Sequence, residues 1–444
     1  MEIIQLEDKN LAHYSYSIIS NSEMAVIDPA RNPKIYYDLA KQHEAKIVAV
    51  IETHPHADFV SSHLEIHKTM GAPIYVSKLL GAEYEHKSFD EGDILKVGKI
   101  SLKALNTPGH SPDSICIVAI DENKKYKAVF SGDTLFIGDC GRPDLRETAG
   151  TLTAKRDALA KQMYHSLRNK LMNLPDDVLI YPAHGAGSLC GKGLSDKNTS
   201  TIGIEKAGNW CLQKMSEEEF VKKLLDNQPF VPKYFTYDVE LNKKGAENFS
   251  ESIHKVMISK NLPSRLKEYL IVDTRDESEF KKGFLKGSVN LMGDGPFETW
   301  LGSIIAPHEK FYLLAKSKDV LQSIIERIAK IGYEGQIESA FVATNINGEK
   351  INKPDVDHFR ASLNDFTIMD IRNPSEVKER EIFKDAIRIP LFELRERINE
   401  IPTQKPVIVH CALGYRSAAA TSIIKNFVNT ATEVFDLGGA IQTF

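Results

Sequence analysis

Four short segments place imidazoles and carboxylates where a cation could be held. They are Thr53-His54-Pro55-His56-Ala57-Asp58, Thr107-Pro108-Gly109-His110-Ser111, Ser131-Gly132-Asp133-Thr134 and Pro182-Ala183-His184-Gly185. Each contains Gly or Pro to fix a turn. Nitrogen and carboxylate oxygen donors together suit a borderline divalent metal. A second chemistry lies near the end of the chain. Pro406-Val407-Ile408-Val409-His410-Cys411-Ala412-Leu413-Gly414-Tyr415-Arg416-Ser417 reads as strand, tight loop and helix start. The loop N–H groups and the helix N-terminus face the Cys411 sulfur. Such a setting lowers a thiol pKa from about 8.5 toward about 3.5–7.5, which makes a thiolate nucleophile at neutral pH.

Other candidates carry less. His13, His43, His86, His165, His254, His308 and His358 read as ordinary core or surface residues. His63 and His67 are four apart on an expected helix, but Glu65 is not where an H-E-x-x-H zinc helix puts its acid. The run Gly185-Ala186-Gly187-Ser188-Leu189-Cys190-Gly191-Lys192-Gly193 fails the phosphate-loop spacing and is expected to line the metal cleft. Within it, Cys190 is either a substrate contact or a plain buried thiol. Cys116 falls mid-strand and is expected in the core.

Strands must carry these groups. Ala45–Ile51 is an apolar run leading into His54, and Ile115–Ile120, Ala128–Phe130 and Val178–Tyr181 run beside the other turns. Polar loops at strand ends are where α/β folds place chemistry. A different pattern begins near residue 245. Leu270-Ile271-Val272-Asp273-Thr274-Arg275 resembles Thr367-Ile368-Met369-Asp370-Ile371-Arg372, an offset of 97 residues from Asp273 to Asp370. Glu279 follows the first and Glu376 the second in the same relative place, so one α/β unit is duplicated. In the first copy Ala315-Lys316 stands where the second has Cys411, and neither residue offers a thiol.

The chain has 444 residues, 42% hydrophobic and 26% charged, with a net charge of −5. It can bury a real core in each of about three domains. No basic concentration marks a nucleic-acid surface, and no apolar run reaches the roughly 18 residues of a membrane span. The opening residues Met1–Asp8 lack an apolar export core. Five widely spaced cysteines argue against a disulfide framework and for the cytoplasm.

The four turns resemble those of the metallo-β-lactamase superfamily. Its binuclear members place a further His after H-x-H-x-D, where this chain has Phe59, which has no lone pair to offer. The run Gly132-Asp133-Thr134-Leu135-Phe136-Ile137-Gly138-Asp139-Cys140-Gly141-Arg142-Pro143-Asp144 is similar to that of persulfide dioxygenases. That resemblance implies one Fe(II) per chain, held by His56, His110 and Asp133. His54, Asp58 and His184 would then orient the ligands, and Arg142 would grip an anionic substrate. The Cys411–Arg416 loop has four residues between its ends, one fewer than a tyrosine phosphatase loop. It resembles rhodanese, as do Asp370, Arg372, Glu376 and the closing Asp436-Leu437-Gly438-Gly439.

The implied architecture is α/β. A metallo-β-lactamase αββα sandwich over residues 1–240 is followed by a degenerate rhodanese-like domain at 245–345 and a rhodanese sulfurtransferase domain at 355–444. The implied partners are a low-molecular-weight thiol persulfide and O₂, with sulfite and thiosulfate as products, in a homo-oligomer. Cys411 and Arg416 would perform the sulfur transfer. A mononuclear zinc thioester hydrolase of the glyoxalase II type, fused to a sulfur carrier, is the rival reading.

Overall fold

A computed structural model describes residues 1–145, 156–259, 269–428 and 432–444. They form two compact units, Met1–Glu251 with Ala329–Gly332, and Ser252–Ile328 with Tyr333–Phe444. The first unit therefore runs past the expected limit at 240. Helix Phe235–Lys244 returns to the site turns, where Asn242 Nδ2 donates to the carbonyls of His56 (2.8 Å) and Phe59 (2.7 Å).

Two six-stranded sheets build the first unit. Strand Ile115–Ile120 shows how they stack, because successive side chains point to opposite faces. Ile115, Ile117 and Ala119 join Tyr16, Ile18, Ile27 and Ile51 in the core between the sheets. Cys116 and Val118 face outward and pack on Met163 and Leu167 of helix Arg156–Asn169. On the other side, Met24, Val26 and Val50 pack on Tyr36 and Ile66 of helices Lys34–Gln42 and His63–Met70. The layers are thus α, β, β, α. Strand Lys46–Ile51 is apolar on both faces because both are covered. The site turns leave the ends of Lys46–Ile51, Ile100–Asn106, Tyr126–Gly132 and Leu179–Pro182.

The second unit holds a five-stranded and a four-stranded sheet, both parallel. Their equivalent strands keep one register. Asp273 of Leu270–Asp273 pairs with Leu314 of Phe311–Ala315, and Asp370 of Thr367–Asp370 pairs with His410 of Val407–His410. The next residue is Ala315 in one sheet and Cys411 in the other. The Asp–Arg pairs also match, since Arg275 Nη2 and Arg372 Nη2 each donate to their aspartate Oδ2 at 2.6 Å. Helix Tyr415–Phe427, which follows Cys411, lies against strand Ser288–Asn290 of the five-stranded sheet. Asn290 N donates to Ser422 Oγ (3.0 Å), and Tyr415 OH donates to the Met292 carbonyl (3.0 Å). The first copy is therefore a brace for the second as well as its duplicate.

Candidate functional site

The four turns of the first unit converge, but their grouping differs from the one expected. One nitrogen each from His54 and His110 and one oxygen of Asp133 lie within 4.8 Å of one another. His54 Nε2 is 3.7 Å and His110 Nε2 3.5 Å from Asp133 Oδ2. His56, expected with His110 and Asp133, turns instead toward Asp28, with Nε2 3.2 Å from Oδ1, and it also groups with Asp58 and His184. The two imidazoles of the His-Pro-His turn thus face different carboxylates, His54 toward Asp133 and His56 toward Asp28.

Hydrogen bonds fix the tautomers of the converging pair. Thr53 Oγ1 donates its only proton to Asp28 Oδ2 (2.8 Å), so it must accept from His54 Nδ1 (3.0 Å). The Arg142 carbonyl can only accept, and His110 Nδ1 lies 2.8 Å from it. Both rings therefore present an Nε2 lone pair to Asp133 Oδ2, which is buried without a hydrogen-bond partner. Two imidazoles and one carboxylate on one face, each held from behind, fit a divalent metal. Burial and the neighbouring His56 hold the His54 pKa well below its usual value, so its lone pair stays available. Thr53→Val keeps the shape but removes the hydroxyl link; metal affinity, read by chelator competition, should fall about 10–100-fold. An unchanged affinity would refute the orienting role.

His184 bridges two carboxylates, with Nδ1 2.7 Å from Asp133 Oδ1 and Nε2 2.9 Å from Asp58 Oδ2. Burial opposes its charge, yet Asp133 and Asp58 outweigh burial and hold its pKa well above the usual value. Cys190 lies beside Asp133 and His184, all three offering an atom within 4.8 Å of the others. Burial and the nearby Asp58 and Asp133 push its thiol pKa well up, so it is present as the thiol.

Arg142, expected to grip an anionic substrate, lies buried beside the cleft. Its side chain is 1% exposed and forks onto Asp144 at 2.7 and 2.6 Å, and its Nη1 donates to the Leu189 carbonyl at 3.2 Å. Among the described residues, Asp144 and the Leu189 carbonyl thus occupy much of the guanidinium. Its contribution is its own carbonyl, which orients His110.

Sequence reasoning missed three contributors. His13, assigned to the background, is buried with its ring centroid 3.8 Å from that of Phe59, and strand pairing ties it to His184. Asp28 and Asn242 hold the His-Pro-His turn from outside the motif. Asp28 could have been found, because it ends an apolar run as the other site residues do. The pairing of His13 and the reach of Asn242 exist only after folding.

In the second unit, Cys411 is 1% exposed at the end of strand Val407–His410. Gly414 N donates to Cys411 Sγ at 3.0 Å. This needs the Gly414 φ of 115°, a backbone state that favours glycine. Arg416 is held by Glu376 through two hydrogen bonds, at 2.5 and 2.6 Å. Under the strand end, burial pushes His410 down to about 4, only partly offset by Asp370. A histidine protonated more readily when unfolded loses stability as pH falls from about 6.5 toward 4. Hydrogen exchange at Val407–His410 should report up to about 3 kcal/mol of weakening over that window. Equal protection at both ends would contradict a neutral buried His410.

These features agree with comparisons to known proteins. The metallo-β-lactamase superfamily profile matches residues 9–184, and the rhodanese-like domain profile matches residues 355–444. The chain is 32% identical over 190 residues to the mitochondrial persulfide dioxygenase ETHE1 of Mus musculus, covering 43% of this chain. It spans 65% of that relative's length. It is 30% identical over 202 residues to the Bos taurus protein of the same name, covering 45% of this chain and 70% of that one. A hydroxyacylglutathione hydrolase of Dictyostelium discoideum is 32% identical over 181 residues, covering 39% of this chain and 63% of the other. A crystal structure of a metallo-beta-lactamase from Staphylococcus aureus subsp. aureus COL superposes with TM-score 0.69 at 31% identity, covering 77% of this chain and 99% of that one. Among the described residues, no helix is long and apolar enough to cross a membrane. The chain belongs to the metallo-β-lactamase superfamily, in its persulfide dioxygenase family, joined to a C-terminal rhodanese-like domain.

Proposed function

We propose that the first unit is a non-haem iron dioxygenase for low-molecular-weight persulfides, and that Cys411 transfers sulfane sulfur to sulfite. One Fe(II) per chain would be held by His54 Nε2, His110 Nε2 and Asp133 Oδ2, which replaces His56 of the sequence reading by His54. When bound, a ferrous ion offers open positions to a sulfur anion and to O₂, and the electrons that activate O₂. The observation that carries this reading is the fixed pair of Nε2 lone pairs facing a partnerless carboxylate oxygen, with Phe59 where a further donor would stand.

This chain's own residues would do the following. Thr53 and the Arg142 carbonyl keep both imidazoles in the ligating tautomer. Asp58 and Asp133 hold a proton on each nitrogen of His184, which keeps positive charge beside the cleft. Phe59 and Phe136, both buried, keep bulk water out. The overall change is persulfide, O₂ and water to thiol, sulfite and two protons. Cys411 thiolate attacks the outer sulfur of a second persulfide; the S–S bond breaks and the thiol leaves with the proton. Sulfite then attacks that sulfur, giving thiosulfate and restoring the thiolate. Arg416, anchored by Glu376, supplies positive charge beside the sulfur.

Protein reconstituted anaerobically with Fe(II) should consume O₂ when a persulfide is added, as read with an oxygen electrode. No uptake with stoichiometric iron present would end the proposal. Thioester hydrolysis without O₂ would favour the hydrolase, to which the chain is also similar.

A further inference from the structure

The duplication supplies an internal control for the Cys411 site. In the first copy the guanidinium of Arg275 is fully engaged. Its Nε and Nη2 donate to Asp273, and it also reaches the carbonyls of Gly283 (Nη2, 3.0 Å) and Thr344 (Nη1, 3.4 Å). In the second copy Arg372 keeps the bonds to Asp370, from Nε at 2.9 Å and from Nη2 at 2.6 Å, but makes neither carbonyl contact. Among the described residues, Arg372 Nη1 has no acceptor.

The Arg372 side chain is 5% exposed and lines a cavity of about 540 Å³, a volume typical of small-molecule sites. Lys378, Arg388 and Arg397 line it too. Arg397 is matched by Glu393 at 2.8 Å and Glu400 at 2.7 Å, and one nitrogen of Arg388 by Glu381. Lys378 is exposed and, among the described residues, has no acidic partner. The unmatched donors are therefore Arg372 Nη1, Lys378 and the rest of the Arg388 fork, and an anion completes such a set. The cavity lies outside the carboxyl ends of strands Thr367–Asp370 and Ile387–Arg388, where open α/β sheets take ligands. Arg388 and His410 flank Asp370 in register, one on each side. With neighbouring strands about 4.8 Å apart, the two stations are about 10 Å from each other, and Cys411 follows His410. Helix Pro374–Glu379 serves both: Val377 and Lys378 line the cavity, and Glu376 holds Arg416 of the Cys411 loop.

We propose that this cavity seats an anionic group, a carboxylate or a phosphate, borne by the thiol of the persulfide that loads Cys411, with Arg372 and Lys378 as the recognising residues. The group would sit about 10 Å from the outer sulfur. The inference rests on the reading that Cys411 accepts sulfane sulfur, and it adds that the donor is charged. The open guanidinium and the acceptor thiol go together: the second copy has both, and the first copy, with Arg275 engaged and Ala315 in place of the cysteine, has neither.

Thiosulfate formed from sulfite and a persulfide by the full chain, assayed without O₂, tests this. Two donor pairs are compared: glutathione persulfide with its diethyl ester, and phosphopantetheine persulfide with pantetheine persulfide. In at least one pair the charged donor should have the lower KM, by about three- to tenfold, and the pair that shows it tells carboxylate from phosphate. Lys378→Glu should cancel that preference. Each ratio is taken on one preparation, so partial misfolding of the variant divides out. Equal KM within both pairs, with thiosulfate still formed, overturns the role of the cavity and leaves Cys411 in place. A preference that survives Lys378→Glu unchanged overturns it as well. No thiosulfate from any donor removes the transfer reading instead. Calorimetry with glutathione and phosphopantetheine then decides: binding weakened by Lys378→Glu upholds the anion cavity, and binding that is absent or unchanged in the variant overturns it.

Discussion

Replacing His54 with alanine is expected to strip the reaction centre of its metal and abolish O₂ consumption, whereas His56→Ala leaves metal bound at Asp133. The contrast is sharp because the residues are two apart and their rings lie 4.2 Å centroid to centroid. Of these two, His54 is the one that brings Nε2 toward Asp133 Oδ2, with its other nitrogen fixed by Thr53. Loss of one of three donors should weaken binding by more than the roughly 10–100-fold that removing an orienting group costs. O₂ uptake at limiting iron should fall at least about a hundredfold with it. His56→Ala should reduce iron at this position by no more than the orienting range. Metal content and oxygen-electrode rates on both variants decide the matter. The opposite pattern, with iron lost in His56→Ala and kept in His54→Ala, would restore the sequence-based trio.

Replacing Cys411 with serine should stop thiosulfate formation and leave O₂ uptake unchanged, so that sulfite accumulates. Serine fits the same loop but is a poor nucleophile toward sulfane sulfur at neutral pH. Removing an attacking group of this kind costs on the order of 10³-fold or more. The duplicated sheet offers no second thiol at the equivalent point, where Ala315 stands. Quantifying sulfite and thiosulfate from the same incubation tests the claim. Thiosulfate made at the wild-type rate would remove Cys411 from the reaction.

Much of this architecture was legible because it rests on local signals. Apolar runs ending in Gly- or Pro-fixed turns marked the strand ends, and the Asp-x-Arg pairs marked the duplication. The Cys411 loop was legible from its spacing. The choice between His54 and His56 was not, because it depends on which ring the Thr53 hydroxyl and the Asp28 carboxylate turn aside. The surroundings of Arg142 were not legible either. A guanidinium in a motif reads as a free cation until its partner, Asp144 only two residues on, is seen to occupy it. Asn242 left no trace, because it hydrogen-bonds a turn 186 residues away in sequence.

The outermost strand of the five-stranded sheet, Ser288–Asn290, bears on how the protein can be dissected. Its exposed rim would ordinarily invite another chain to add on. Here Asn426 accepts from Gly287 N (2.9 Å) and donates to the Ser288 carbonyl (2.8 Å), while Ser422 takes the amide of Asn290. A truncated protein ending before residue 355 would bare that rim and is a candidate for self-association, even though everything retained could still fold.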